Sequence, residues 1–172
     1  MREALVAGLS RSYGTHAYAK WSGAFWRLIS LVDLRVGPGH AGALAAAEET
    51  LDWVASPRRL AEIHRRRIDG RVRRCASQDG RALQACLDVG LRGDPRLDTL
   101  AESLVETQWP DGGWNCDRKP HVTHSSFNET WGPIMVSRST GRRRQRRAVR
   151  SFSCSIAWCS LIAPASRRTR RS

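Results

Sequence analysis

The sequence predicts an all-α protein built of stacked helical hairpins, and three observations carry that reading. Apolar residues recur at three- and four-residue steps, as at Trp21, Phe25, Leu28 and Val32, the period that puts side chains on one helix face. Breaks at Pro38-Gly39 and Gly93-Asp94-Pro95 cut these runs into helix-sized lengths. No run alternates apolar and polar residues as a half-buried strand does.

In chain order, the first helix is expected over residues 21–34, ended by the Pro38-Gly39 break. Residues 41–55 are Ala-rich and follow as a second helix. Ser56-Pro57 then offers a hydroxyl to a free helix N–H and a residue with no N–H to leave unpaired, an N-terminal signal for a helix over 60–67. Helices over 81–91 and 97–108 flank Gly93-Asp94-Pro95. Ser125 or Ser126 caps a last helix over 127–135.

The chain also repeats itself. A Gly-containing loop at Tyr13-Gly14 runs through Lys20-Trp21-Ser22-Gly23 into Phe25-Trp26-Arg27-Leu28-Ile29. Asp69-Gly70 runs through Cys75-Ala76-Ser77 into Ala82-Leu83, and Gly112-Gly113-Trp114 runs through His124-Ser125-Ser126 into Phe127 and Trp131. Ser22, Ser77 and Ser126 stand 55 and 49 positions apart, a period that fits one helical hairpin per repeat.

The third copy carries the most information. Leu104, Gln108 four positions later, and Asp111-Gly112-Gly113-Trp114 behind Pro110 make a helix end, a sharp turn and a Trp beyond it. Glycine admits positive φ in such a turn, and Asp111 can cap it. A planar Gln amide can lie against an indole while bonding free helix-end groups. This pattern resembles the QW repeat of the squalene-cyclase and prenyltransferase superfamily. Only the third copy has it in full.

The resemblance implies a partial α/α toroid of about two and a half hairpins where the superfamily closes a ring of six. It further implies an N-terminal piece of a longer repeat protein, inactive alone, whose intact relative takes an isoprenoid ligand. An uncovered hairpin flank leads to the expectation that the chain self-associates. Trp21, Phe25, Trp26, Phe127 and Trp131 are the candidates to line an isoprenoid cavity, where aromatic faces stabilise carbocations; the same spacing also describes plain core.

Chemistry-bearing motifs are scarce. The cyclase branch protonates an alkene with an Asp-rich DxDD motif, and Asp69, Asp79 and Asp111 stand here without adjacent carboxylates, so no catalytic residue is assigned. Gly37-Pro38-Gly39-His40-Ala41-Gly42 matches GxGxxG, but it follows a helical rather than a strand pattern and reads as a helix–helix loop. Cys116, Asp117, His121 and His124 supply zinc-type donors close together. The preferred reading is nevertheless a surface loop in which Asp117 and His124 cap helices, with no metal and no cofactor. Cys75, Cys86 and Cys116 read as reduced thiols, since no Cys-x-x-Cys pair occurs. Asn128-Glu129-Thr130 is a formal glycosylation triplet inside a helix, with no secretory signal before it.

Charge divides the chain near Met135. Residues 1–135 hold 18 Lys and Arg against all 16 acids, a balance of +2; residues 136–172 hold 11 Arg and no acid, which supplies +11 of the net +13. As protein, the run from Arg142 to Arg147 is a basic tail able to meet phosphates through charge. As DNA, with permitted codon choices, a shifted frame lets residues 135–141 and 150–172 encode apolar, acid-containing helix, and a frame error is the favoured reading. Residues 1–135 are thus taken as toroid repeats and 136–172 as a disordered or frame-shifted tail.

Three functions follow: a piece of an isoprenoid-related cyclase or prenyltransferase-like protein; a non-catalytic helical scaffold binding a protein or small ligand; and a nucleic-acid binder acting through the tail, which is the least expected because the body is nearly neutral. The stretch 151–166 is too short and Ser-rich to span a bilayer. A cytoplasmic protein is expected, and the Arg- and Ala-rich usage is bacterial in character.

Overall fold

The computed structural model describes residues 1–140; the Arg142–Arg147 run, the frame-error reading and most of the 136–172 tail lie outside them. Seven helices occur among the described residues: α1 (Arg2–Leu9), α2 (Ala24–Asp33), α3 (Ala41–Val54), α4 (Pro57–Arg65), α5 (Ala76–Asp88), α6 (Pro95–Glu106) and α7 (Phe127–Thr140). A small hairpin of β1 (Arg67–Ile68) and β2 (Arg71–Val72) sits between α4 and α5. The protein is therefore mostly helical, as the periodicity predicts.

Local chemistry sets most helix starts. Ser56 Oγ accepts from the Arg59 N–H at 3.3 Å with Pro57 in the first turn of α4. Asp94 accepts from the Arg96 N–H at 2.8 Å with Pro95 opening α6. Ser126 Oγ accepts from the Glu129 N–H at 3.2 Å at the start of α7. At α3 the cap is His40, whose Nδ1 accepts from the Ala43 N–H at 3.2 Å. The GxGxxG stretch accordingly joins two helices, α2 and α3, with Gly39 at φ +83°. A Cβ on Gly42 would lie 2.2 Å from Ser10 Oγ, so this glycine serves packing against the end of α1.

Several elements differ from expectation. α1 carries no buried residue, so no apolar period marked it. Trp21 lies before α2, at φ 69°, and is not on that helix's face. α5 begins at Ala76, which places Ser77 inside its first turn, whereas Ser126 precedes α7 and Ser22 precedes Gly23, the residue before α2. The three serines do not hold equivalent positions. The hairpin was not anticipated: Arg67 pairs with Val72 and Ile68 with Arg71 around Asp69 (φ 47°) and Gly70 (φ 75°). Two positive φ values in an Asp-Gly pair make the turn that twists with its strands, while two-residue strands are too short to show alternation.

The core joins Leu28 and Leu31 of α2, Leu51 and Val54 of α3, Cys86 of α5 and Leu100 of α6, all fully buried. Small residues on α3 (Ala43, Ala46, Ala47) let its neighbours approach closely. Successive contacts run from α2 to α3, α3 to α5 and α5 to α7. The α5–α7 contact is made at the backbone: a Cβ on Gly80 would lie 2.5 Å from Pro133 N, and one on Gly132 would lie 3.0 Å from the Ser77 carbonyl. α7 continues through position 135, and Val136 is buried in the same core.

Candidate functional site

The turn after α6 ties that helix to the start of α7. The Trp109 N–H donates to Gly113 O at 2.9 Å, and the Gly112 N–H donates to Trp109 O at 2.9 Å, with Gly112 at φ +88°. Gln108 Nε2 donates to Gly112 O at 2.7 Å, so the amide closes the turn itself. The Leu104 carbonyl near the end of α6 is met instead by Trp114, whose Nε1 donates to it at 3.0 Å, and by the Thr107 hydroxyl at 3.2 Å. Trp114 is only 2% exposed. Its own N–H donates to Thr130 Oγ1 at 3.2 Å, and its carbonyl accepts from the Ser126 N–H at 2.8 Å. Asp111 Oδ2 accepts from the Ser125 N–H at 2.7 Å. At Gly113 a Cβ would come within 2.4 Å of Thr130 Oγ1.

Trp109, passed over in the sequence, is also buried. Its Nε1 donates to Val72 O at 2.8 Å, and the Arg73 guanidinium lies 4.7 Å from its ring centre. A groove of about 250 Å³ runs beside this turn, between the β1–β2 hairpin and residues Gln108, Trp109 and Pro110.

Behind the turn lies a buried polar network. Arg74 Nε donates to Asp79 Oδ2 at 2.7 Å, and its Nη1 reaches Ser103 O at 2.7 Å, Ser103 Oγ at 2.9 Å and Thr107 Oγ1 at 3.0 Å. The other Asp79 oxygen lies 2.7 Å from Arg59 Nη2. Both Asp79 oxygens face guanidinium groups and none faces a cleft. The sequence singles out none of these residues for this pairing; burial gives them their role.

The candidate aromatics separate into two groups. Phe25 and Trp26 join Tyr18, Trp53 and Trp21 in one cluster with ring centres 5.2–6.2 Å apart. Within it Phe25 is core, Trp26 half-buried and Trp21 68% exposed. Tyr18 and Trp53, not singled out in the sequence, complete it. Phe127 and Trp131 form a separate pair on α7, 5.6 Å apart and 67% and 51% exposed.

The four zinc-type donors of the loop do not converge. Asp117 accepts from the Lys119 N–H at 2.9 Å and caps a turn. His121 is exposed, and exposed His124 places Nδ1 3.1 Å from Thr123 Oγ1. Cys116 is held instead beside Cys75 and Glu129, with their ligand atoms all within 4.8 Å of one another. Cys75 precedes α5, Cys116 follows the turn, and Glu129 lies in the first turn of α7. Glu129 Oε2 accepts from both the N–H and the hydroxyl of Ser77, each at 2.9 Å. Burial, then hydrogen bonding to and the charge of Glu129, pushes the Cys116 thiol up to about 12. Burial followed by the Glu129 charge raises Cys75 as well.

No family model, curated protein or solved structure matches this chain. Among the described residues no helix is long and apolar enough to cross a membrane.

Proposed function

We propose that the chain is part of a prenyltransferase or squalene-cyclase-like helical repeat protein, with an isoprenoid as the ligand of the intact relative. The observation that supports this most is the turn at residues 104–114. Its Gln closes the turn on Gly112 O, and its Trp meets the Leu104 carbonyl at the end of α6 and Thr130 of α7, the helix-end bonding expected of the motif. The exposed pair Phe127–Trp131 offers an isoprenoid chain two π faces side by side. No group on the chain is assigned to protonate or ionise a substrate, so the reading is one of binding without turnover. The exposed Phe127 and Trp131 on α7 also support self-association.

A titration tests this reading. Purified full-length chain is mixed with farnesyl diphosphate or with detergent-dispersed squalene, while Trp fluorescence and product formation are followed. Saturable quenching, lost in Phe127→Ala/Trp131→Ala and without product, is expected. Absence of saturable quenching, or quenching unchanged in the double variant, overturns it and leaves the scaffold reading.

A further inference from the structure

We propose that Cys75, Cys116 and Glu129 form a binding site for a zinc-class divalent cation. The three residues come from three separate segments and converge with ligand atoms within 4.8 Å of one another. Zinc–ligand bonds of about 2.3 Å put tetrahedral ligand atoms a little under about 4 Å apart, so closing on an ion needs movement of about an ångström. Two thiols select zinc-class ions over magnesium or calcium, which prefer all-oxygen ligands. All three side chains are half-buried. A fourth position therefore stays within reach of water, the pattern of an open rather than a purely structural zinc site.

The surroundings fit the charge. The Glu129 carboxylate lies beside both sulfurs. A dication meets that carboxylate's charge and replaces the two S–H bonds with metal–sulfur bonds, and both protons pass to the buffer. Ser77 holds the Glu129 carboxylate through two donors, as outer-shell groups do around metal ligands. The close α5–α7 approach at Gly80 and Gly132 brings Ser77 and Glu129 together.

The test uses the full-length chain, stripped of metal and kept reduced by a non-thiol reductant, and titrated with Co²⁺. One Co²⁺ per chain is expected, with an intense near-ultraviolet sulfur-to-metal band, tetrahedral visible bands and about two protons released. Zn²⁺ should bleach the spectrum. Cys75→Ser and Cys116→Ser should each abolish tight binding, Glu129→Gln should weaken it at least about tenfold, and Ser77→Ala about tenfold. Cys86→Ser and the pair Cys154→Ser/Cys159→Ser should leave it unchanged. Circular dichroism establishes that each variant folds. A wild-type chain without the sulfur band overturns the proposal. So does a band that survives both single Cys75 and Cys116 variants or disappears with Cys154 and Cys159.

Discussion

Trp114 is the residue on which the turn depends most. Its indole is buried and its ring N–H donates to the Leu104 carbonyl, which the Thr107 hydroxyl also meets at 3.2 Å, so truncation leaves a cavity and removes one of that carbonyl's two donors. Trp114→Ala should cost about 3 kcal/mol or more in denaturant unfolding. Gln108→Ala should cost less, on the order of 1 kcal/mol, because the half-buried amide contributes chiefly its bond to Gly112. Midpoints unchanged in both variants would mean that the turn does not anchor the fold. Cys86 gives a second residue-scale prediction. Burial raises its thiol from 9.0 to about 12, so the fold favours the protonated form. That contribution is complete below pH 9 and is lost as pH rises towards about 12. Three pH units correspond to on the order of 4 kcal/mol. Unfolding free energy should therefore fall steeply through this alkaline range in the wild type and less steeply in Cys86→Ala. Equal slopes would contradict the buried thiol.

Between elements, the Arg59–Asp79–Arg74 cluster joins α4, the start of α5 and α6. Removing the carboxylate leaves Arg74 buried with its charge uncompensated. Asp79→Asn should destabilise by about 3–5 kcal/mol, read as a loss in melting temperature. A near-neutral result would show that Ser103 and Thr107 suffice to hold Arg74. Gly80→Ala acts on a different contact, since its methyl would meet the α7 backbone at Pro133. Overpacking of this kind should cost about 1–3 kcal/mol and separate Ser77 from Glu129. Cobalt affinity should fall with it, although no ligand is touched. Retained affinity would detach the metal site from helix spacing.

Over the whole molecule, α7 carries an unusual surface. Phe127, Trp131 and Met135 follow one another at steps of four and are all exposed, which makes an apolar strip along one helix face. The full-length chain should show concentration-dependent association in sedimentation velocity, reduced in Phe127→Ser/Trp131→Ser. A monodisperse wild-type monomer at all concentrations would end that reading. The buried pairs Trp114 and Leu104, or Gly80 and Pro133, are untouched by these changes, so cooperative melting should persist.

The sequence by itself determined the helices from α2 onward but not α1, because their signals are local: Ser56-Pro57, Asp94-Pro95 and Ser126 each act within a few residues of the backbone groups they cap. It also made the turn at 104–114 legible, since its residues close on one another over a short span. The tertiary structure decided what those elements bring together. Cys116 looks towards Asp117 and the histidines when only neighbours in the chain are considered, but packing of α5 on α7 gives it Cys75 and Glu129. Asp79 stands without adjacent carboxylates in the sequence, and α4 and α6 supply the Arg59 and Ser103 groups of its buried network. Short-range hydrogen bonding can be read along one chain, whereas burial and convergence depend on which distant segments share a small volume.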